Sequence, residues 1–240
     1  MCTHCGKCVF VCPHSVIRSK AFPTEAAADA PTTFRHTQIK GKDYPEGVSI
    51  SYQISPEDCT GCTLCVDICP IKDKNQANRK AINMVPQQQI KEQEKENWDY
   101  FLSLPDWNIK ETKRNTMKGA MLLEPYFEFS GACIGCGETP YIRLATQLFG
   151  DRMMVANATG CSSIYGGNLP TTPWSKNAEG RGPAWNNSLF EDNAEFGFGY
   201  RLAATKHHEM AIGLLQSMAD KLPAQLVDEI INAEQHMESE

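Results

Sequence analysis

Apolar positions in this chain follow different periods in different stretches, and those periods predict its elements. Val48, Ile50, Tyr52 and Ile54 alternate with polar residues, the period of a half-buried strand. Ala81, Ile82 and Met84 suggest another short strand. Residues 21–47 show no period; Pro23, Pro31, Gly41, Pro45 and Gly47, with Ala26 to Ala30 among them, predict irregular surface structure. Ile90, Trp98, Phe101 and Leu102 fall on one helical face, Pro86 suits the first position of a helix, and Leu104 to Trp107 breaks it. Trp98, Phe101 and Trp107 are expected to dock this stretch on a neighbouring domain. The charged run Glu111 to Arg114 is expected to be solvated.

Further on, Thr139 and Pro140 form an N-cap and N1 pair, and Tyr141, Ile142, Leu144, Ala145, Leu148 and Phe149 keep the helical period until Gly150. Met153 to Ala156 is a short apolar run, which predicts a buried parallel strand. Gly160 to Gly167 predicts a loop, and Gly180 to Pro183 a turn. Ser188 to Glu191 matches a capping box that would open a long helix toward Met218. Gly197 and Gly199 would each cost that helix about 1 kcal/mol relative to Ala, which implies close packing or a break. Leu222 and Pro223 start a last amphipathic helix with Leu226, Val227, Ile230 and Ile231 on one face. His207 and His208, among charged residues of the long helix, read as solvated.

Charge narrows the possibilities. The net charge of −6 and a pI near 5.6 argue against a nucleic-acid surface. There is no signal-like start and no apolar run long enough to span a membrane. A cytoplasmic protein is the expectation.

The 11 cysteines change the picture most. Cys2, Cys5, Cys8 and Cys12 before Pro13 fit C-x2-C-x2-C-x3-C-P, and Cys59, Cys62, Cys65 and Cys69 before Pro70 fit it again. This is the bacterial ferredoxin run, in which the fourth cysteine serves the other cluster. Three thiolates on a tight loop cap three irons of one cubane, and the fourth then points toward the partner. Cys2, Cys5, Cys8 and Cys69 are thus expected to hold one 4Fe–4S cluster, and Cys59, Cys62, Cys65 and Cys12 another. Zinc also takes four thiolates, but its knuckles come in separated pairs. The chain opens at Met1 and Cys2 with no strand before the first ligand, where an antiparallel partner for the later strand would be expected.

Cys133, Cys136 and Cys161 remain. They count one short of a cysteine-held 4Fe–4S cluster, so the fourth ligand would come from beyond residue 240 or be another group such as water; a three-ligand zinc site is formally possible. Cys161 follows the carboxyl end of the expected strand, where open α/β sheets bind ligands. Cys136 and Glu138 stand at the start of the expected helix, whose amides suit anions.

These blocks resemble the pyruvate:ferredoxin (flavodoxin) oxidoreductase family. The resemblance is carried by Cys2–Pro13, Pro56 through Lys74, Phe129 to Tyr141, Ala158 to Thr172 and Gly180 to Gly197. It implies a ferredoxin-like α+β domain at 1–85 with an insert at 21–47, a linker at 86–126, and part of a thiamine-diphosphate-binding α/β domain at 127–240. It implies oxidation of pyruvate with coenzyme A to acetyl-CoA and CO2, with electrons passed singly through three 4Fe–4S clusters to ferredoxin or flavodoxin, in a homodimer. By resemblance, Cys133, Cys136 and Cys161 ligate the third cluster, and Glu138 and Cys161 contact thiamine diphosphate. The Gly-Asp-Gly element that holds Mg2+ and the diphosphate in thiamine enzymes is absent, as are the groups that would bind pyruvate. The chain is therefore expected to be an internal fragment of a several-fold longer enzyme, without catalytic residues or turnover of its own. The alternatives are a stand-alone polyferredoxin carrier, the same fold acting on another 2-oxo acid, and a nicotinamide-dependent reductase domain as electron acceptor.

Overall fold

The structure, a computed structural model, describes residues 2–41, 43–167, 171–191 and 194–233. Its first part is built twice over. Helix α1 (Lys7–Val11) follows Gly6 and α2 (Leu64–Ile68) follows Thr63, and both preceding residues are left-handed, with φ of 77° and 66°. Each helix ends on a cysteine in extended conformation, Cys12 or Cys69, because the following proline pushes the residue before it out of the helical region. The two helices pack on each other.

Between them the chain forms an antiparallel sheet of β1 (Ile17–Pro23), β2 (His36–Gln38) and β3 (Val48–Ile54), in the order β1-β3-β2. β1 pairs with β3 from Ile17 opposite Ile54 to Pro23 opposite Val48, and His36 of β2 lies opposite Ser51. One expectation is corrected here. The stretch 21–47 is not irregular throughout: it supplies the end of β1, a 3-10 turn at Thr24–Ala27 and all of β2. β3 takes its partners from just after Cys12 and from this stretch.

β3 is buried on both faces, not one, because its polar side chains find partners inside. Ser51 Oγ donates to the Arg35 carbonyl at 2.8 Å, and Gln53 Nε2 donates to Ser51 Oγ at 2.8 Å. No strand forms at 81–84. Lys72 and Lys80 make only an isolated bridge, and the Asn83 side chain closes a turn on Lys80, accepting from its N–H at 2.9 Å and donating to its carbonyl at 2.7 Å.

Helix α3 (Lys91–Ser103) begins after a 3-10 turn at Gln87–Gln89, so Pro86 precedes that turn instead of starting the helix. Trp98 and Phe101 dock as expected, burying against Phe22, Ala27 and Phe34, whereas Leu102 is exposed. Trp107 meets the Tyr44 ring edge-on at 6.2 Å. Helix α4 (Met117–Ala120) is capped by Thr116, whose Oγ1 accepts from Gly119 N at 3.1 Å, and it leads into buried Met121, Leu122 and Leu123. Met121 joins Val9, Cys12, Val16 and Ile17 in the core beneath α1.

Helix α5 (Thr139–Phe149) lies on that core by an unexpected face. Leu144 and Leu148 are only partly buried there, while Thr139, Arg143, Thr146 and Gln147 are fully buried and Tyr141 and Phe149 are exposed. Backbone carbonyls explain this: Gln147 Nε2 donates to Leu123 O at 2.6 Å, and Arg143 reaches Val9 O at 2.6 Å. β4 (Met154–Asn157) pairs in parallel with β5 (Ala184–Asn187), Met154 opposite Ala184. The parallel pairing agrees with expectation, but the burial does not: Met154 is 59% exposed, since this sheet has two strands among the described residues.

The stretch expected to be a loop after β4 contains α6 (Cys161–Gly166), held at its start by Ser163 Oγ accepting from Gly160 N at 3.1 Å. Helix α7 (Ala194–Ser217) runs unbroken through Gly197 and Gly199. A Cβ on Gly197 would lie 3.7 Å from that of Ala156, so this glycine marks packing on β4. Ser188 does not cap α7; its Oγ accepts from Phe190 N at 3.0 Å, and residues 192–193 lie outside the described residues, as do 168–170 of the resembling block. α8 (Ala224–Asn232) buries Val227 and leaves Leu226 and Ile230 exposed. Among the described residues, no helix is long and apolar enough to cross a membrane.

Candidate metal centres

The first two cysteine loops share one backbone. In each, the residue before the second cysteine and the residue after it are left-handed: His4 at φ 57° and Gly6 at 77°, Gly61 at 70° and Thr63 at 66°. Alternating left-handed and ordinary residues turns successive amides into the loop, a nest suited to anionic sulfur. His4 and Thr63 hold this conformation at a cost of about 1 kcal/mol each. At Gly6 the requirement is doubled, because a Cβ would lie 3.1 Å from the Met117 carbonyl.

The structure brings Cys12, Cys59, Cys62 and Cys65 to one cavity of about 290 Å3, whose apolar wall includes Val16, Ile17, Ile54 and Ile82. Burial, and then the neighbouring Cys12, Cys62 and Cys59, push the Cys65 thiol up to about 11. Cys8 is pushed up to about 12 by burial, then by Cys2, Cys5 and Cys65. Two thiol sets therefore stand side by side, meeting at Cys8 and Cys65. Cys69 holds the place in the second loop that Cys12 holds in the first, and its thiol lies 3.9 Å from the Ile71 carbonyl. It is not among the groups acting on Cys8.

Thiols crowded in this way become thiolates only if a cation offsets their repulsion, so the donor set is chemically fitted to metal. Sulfurs spread around a cavity of about 290 Å3 suit an iron–sulfur cubane. A single zinc would need its donors about 2.3 Å from one point. No three His, Cys, Asp or Glu side chains among the described residues converge on a single ion.

Aromatic and basic residues that the cysteine spacing did not single out line these sets. Tyr52 stacks on His4 with 5.9 Å between ring centres, and burial, then Cys2, Cys8 and Cys5, raise its pKa and keep its hydroxyl protonated. Burial, then Lys118 and Lys40, lower the pKa of His4. His14, on the cavity wall, sets Nδ1 2.9 Å from the Ser130 carbonyl and leaves its other ring nitrogen buried without a partner. Phe129 N donates to the His14 carbonyl at 2.9 Å, so the segment leading to Cys133 is stitched to the residue two places after Cys12.

The third set is looser. Gly135 is left-handed at φ 74°, the same place before the second cysteine, and Cys136 N donates to Cys133 O at 3.0 Å. Cys133 and Cys161 are both exposed. Tyr165 of α6 is 4% exposed. Burial raises its pKa first, followed by a hydrogen bond to Glu138 and that carboxylate's charge, and then by Cys136 and Cys161. The loop carrying Cys161 is tied to β5 by Asn157 Nδ2 and Ser163 Oγ, which donate to Asn187 Oδ1 at 2.8 and 2.9 Å. A hydroxyl beside a carboxylate and thiols fits a polar group placed there. Sequence periodicity gave no reason to single out Tyr165.

Residues 1–72 match the 4Fe-4S dicluster domain family, so the class of the first part is an iron–sulfur domain of ferredoxin type. The whole chain is 58% identical over 240 residues to a pyruvate-flavodoxin oxidoreductase of Trichormus variabilis, covering 100% of this chain and 20% of that protein. It is 47% identical over 208 residues to a pyruvate:ferredoxin oxidoreductase of Moorella thermoacetica, 87% of this chain and 17% of the relative. It is 45% identical over 222 residues to the mitochondrial pyruvate dehydrogenase [NADP(+)] of Euglena gracilis, 92% of this chain and 12% of the relative. The chain matches one segment of the pyruvate-flavodoxin oxidoreductases along its whole length and spans about one fifth of the length of the first of these relatives.

Proposed function

We propose that this chain is the electron-relay segment of an enzyme that oxidises pyruvate with coenzyme A to acetyl-CoA and CO2 and reduces flavodoxin or ferredoxin. In this reading Cys2, Cys5, Cys8 and Cys69 hold one 4Fe–4S cluster, and Cys59, Cys62, Cys65 and Cys12 hold a second. Cys133, Cys136 and Cys161 hold a third, with its fourth ligand from outside the segment. Bound there, such clusters would supply one-electron chemistry without a proton. Residues 1–85 form the relay domain, 86–126 the strap that docks on it, and 127–240 part of a thiamine-diphosphate domain.

Thiamine diphosphate, with Mg2+, would supply the electron sink for the 2-oxo acid. Glu138 and Cys161 would help hold it, with Tyr165 beside them. The amides of the nests stabilise the thiolate sulfur, the apolar wall of the cavity excludes water, and Tyr52 keeps a protonated hydroxyl beside the first set. The complete protein is proposed to be a cytoplasmic homodimer.

The observation that carries this reading is continuity. The first set adjoins the second through Cys8 and Cys65, and His14, on the wall of the second, bonds Ser130 on the way to Cys133. A path of this kind serves electron transfer and has no use in a zinc protein. The name of the Euglena relative favours one variation, in which the same segment delivers electrons toward NADP(+).

The test is anaerobic. The intact protein, given pyruvate and coenzyme A, should bleach its iron–sulfur absorbance and develop EPR signals of reduced clusters. Clusters that dithionite reduces but pyruvate with coenzyme A does not would point to a carrier and defeat the proposal.

A further inference from the structure

Arg143 is the most deeply buried large side chain of α5, 1% exposed. Its Nη1 donates to Val9 O at 2.6 Å and reaches Ile17 O at 3.4 Å, and its Nε has no partner. No carboxylate pairs with it among the described residues. Arg18, the other buried arginine, carries the same sign of charge and is itself paired with Glu128. A guanidinium keeps its proton in proteins, and an uncompensated buried charge is strongly destabilising. The negative groups that act on Arg143 are Cys12 first and Cys8 second, the cysteines on either side of Val9. Cys8 stands with the first thiol set and Cys12 with the second.

We propose that Arg143 is the fixed counter-charge shared by the two thiolate sets, and that it holds the clusters bound there at a higher reduction potential than a neutral residue would. The inference rests on the ligand sets proposed above. Reduction adds one electron to a group already anionic, with no bond made or broken and no proton required. A cation fixed against α1 stabilises the more negative reduced state more than the oxidised one, and net charge near a cluster is one of the determinants of its potential. Glu138 is the N-cap of α5 and Cys136 lies two residues before it, so the helix that follows the Cys133–Cys136 turn also bears on the electrostatics of the other two sets.

The test is a redox titration of the intact, cluster-loaded protein, followed by EPR. Arg143→Gln and Arg143→Met should weaken reduction of the first two clusters by about tenfold, equivalent to 59 mV for a one-electron couple. Arg143→Lys should stay near the wild-type value. Neutral variants with full iron and sulfide and unchanged potentials would overturn the proposal, as would a lysine variant shifted as far as the neutral ones. If neither neutral variant loads clusters while the lysine variant does, charge is the requirement and the proposal stands. Loss in all three makes Arg143 a packing residue only and overturns it. Absence of iron and sulfide from the wild-type protein would instead remove the ligand reading on which the inference depends.

Discussion

The first two thiol sets and the third are made from the same loop chemistry and finished differently. All three begin with a C-x2-C turn whose residue before the second cysteine is left-handed: His4, Gly61 or Gly135. In the first two, a second left-handed residue and a five-residue helix follow, ending on a cysteine before proline. The result is apolar on one side and crowded with sulfur; Cys12 is buried, and the other seven thiols are half-buried except the exposed Cys2. In the third, Cys136 leads directly to the 11-residue α5, and the remaining thiol arrives from the end of β4, some two dozen residues later. Cys133 and Cys161 stay exposed. The first two sets are thus closed by local chain, and the third depends on a loop at the end of a parallel strand, beside a carboxylate. Local closure, more than cysteine count, separates them.

The largest effects should come from the sulfurs themselves. Cys65→Ser should lower iron by about four per chain and abolish cooperative unfolding of residues 1–85, since binding of a structural metal group can be worth on the order of 10 kcal/mol of folding. Cys133→Ser should leave the first two clusters and that unfolding transition intact. Metal analysis and calorimetry of the two variants would break the comparison if both lost the same iron and the same stability.

Next in size is the clamp between the regions. Arg18 pairs with Glu128 and lies over the rings of Trp98 and Phe129, 5.2 and 5.5 Å from their centres. Glu128 belongs to the segment that leads to the third set, and Trp98 to the strap. Arg18→Ala should cost about 3–5 kcal/mol, the usual penalty for breaking a buried pair. A loss under about 1 kcal/mol in denaturant unfolding would mean that the clamp does not couple the two regions.

Smaller effects sharpen the likeness of the loops. Gly61→Ala and Gly135→Ala should each cost about 1 kcal/mol, because φ is 70° and 74° and no atom crowds the Cβ closer than 3.9 Å. Gly131→Ala, with open space and an ordinary φ, should be near neutral. Equal melting temperatures for all three variants would deny the shared nest. Smallest of all, Ser163→Ala removes the side chain that receives the Gly160 amide and should cost about 0.5–1 kcal/mol, seen as faster hydrogen exchange in α6.

Part of the candidate site was legible in the chain itself. The ferredoxin-type spacing set Cys12 beside Cys59, Cys62 and Cys65, and these four thiols line one cavity. Glu138 and Cys161 were singled out by helix start and strand end, and both act on Tyr165. What escaped was set by partners far away in sequence. β1 hid in Ile17–Pro23 because its residues are buried on both faces, so no alternation marks it. β2 is three exposed residues, too short for any period. The apolar stripe of α5 pointed to the wrong face because Arg143 and Gln147 have carbonyl acceptors on α1 and at Leu123, which no local pattern encodes. Tyr165 looked like a loop residue because Ser163 holds a helix where glycines suggested none.

The most direct test of the central claim is the joint measurement of iron, acid-labile sulfide and zinc in the anaerobically purified intact protein, with EPR after reduction. Iron and sulfide in equal amounts, at least about eight of each per chain, with signals of reduced 4Fe–4S clusters, are expected from the first two thiol sets. Zinc at two or more per chain, with no acid-labile sulfide, would contradict the account.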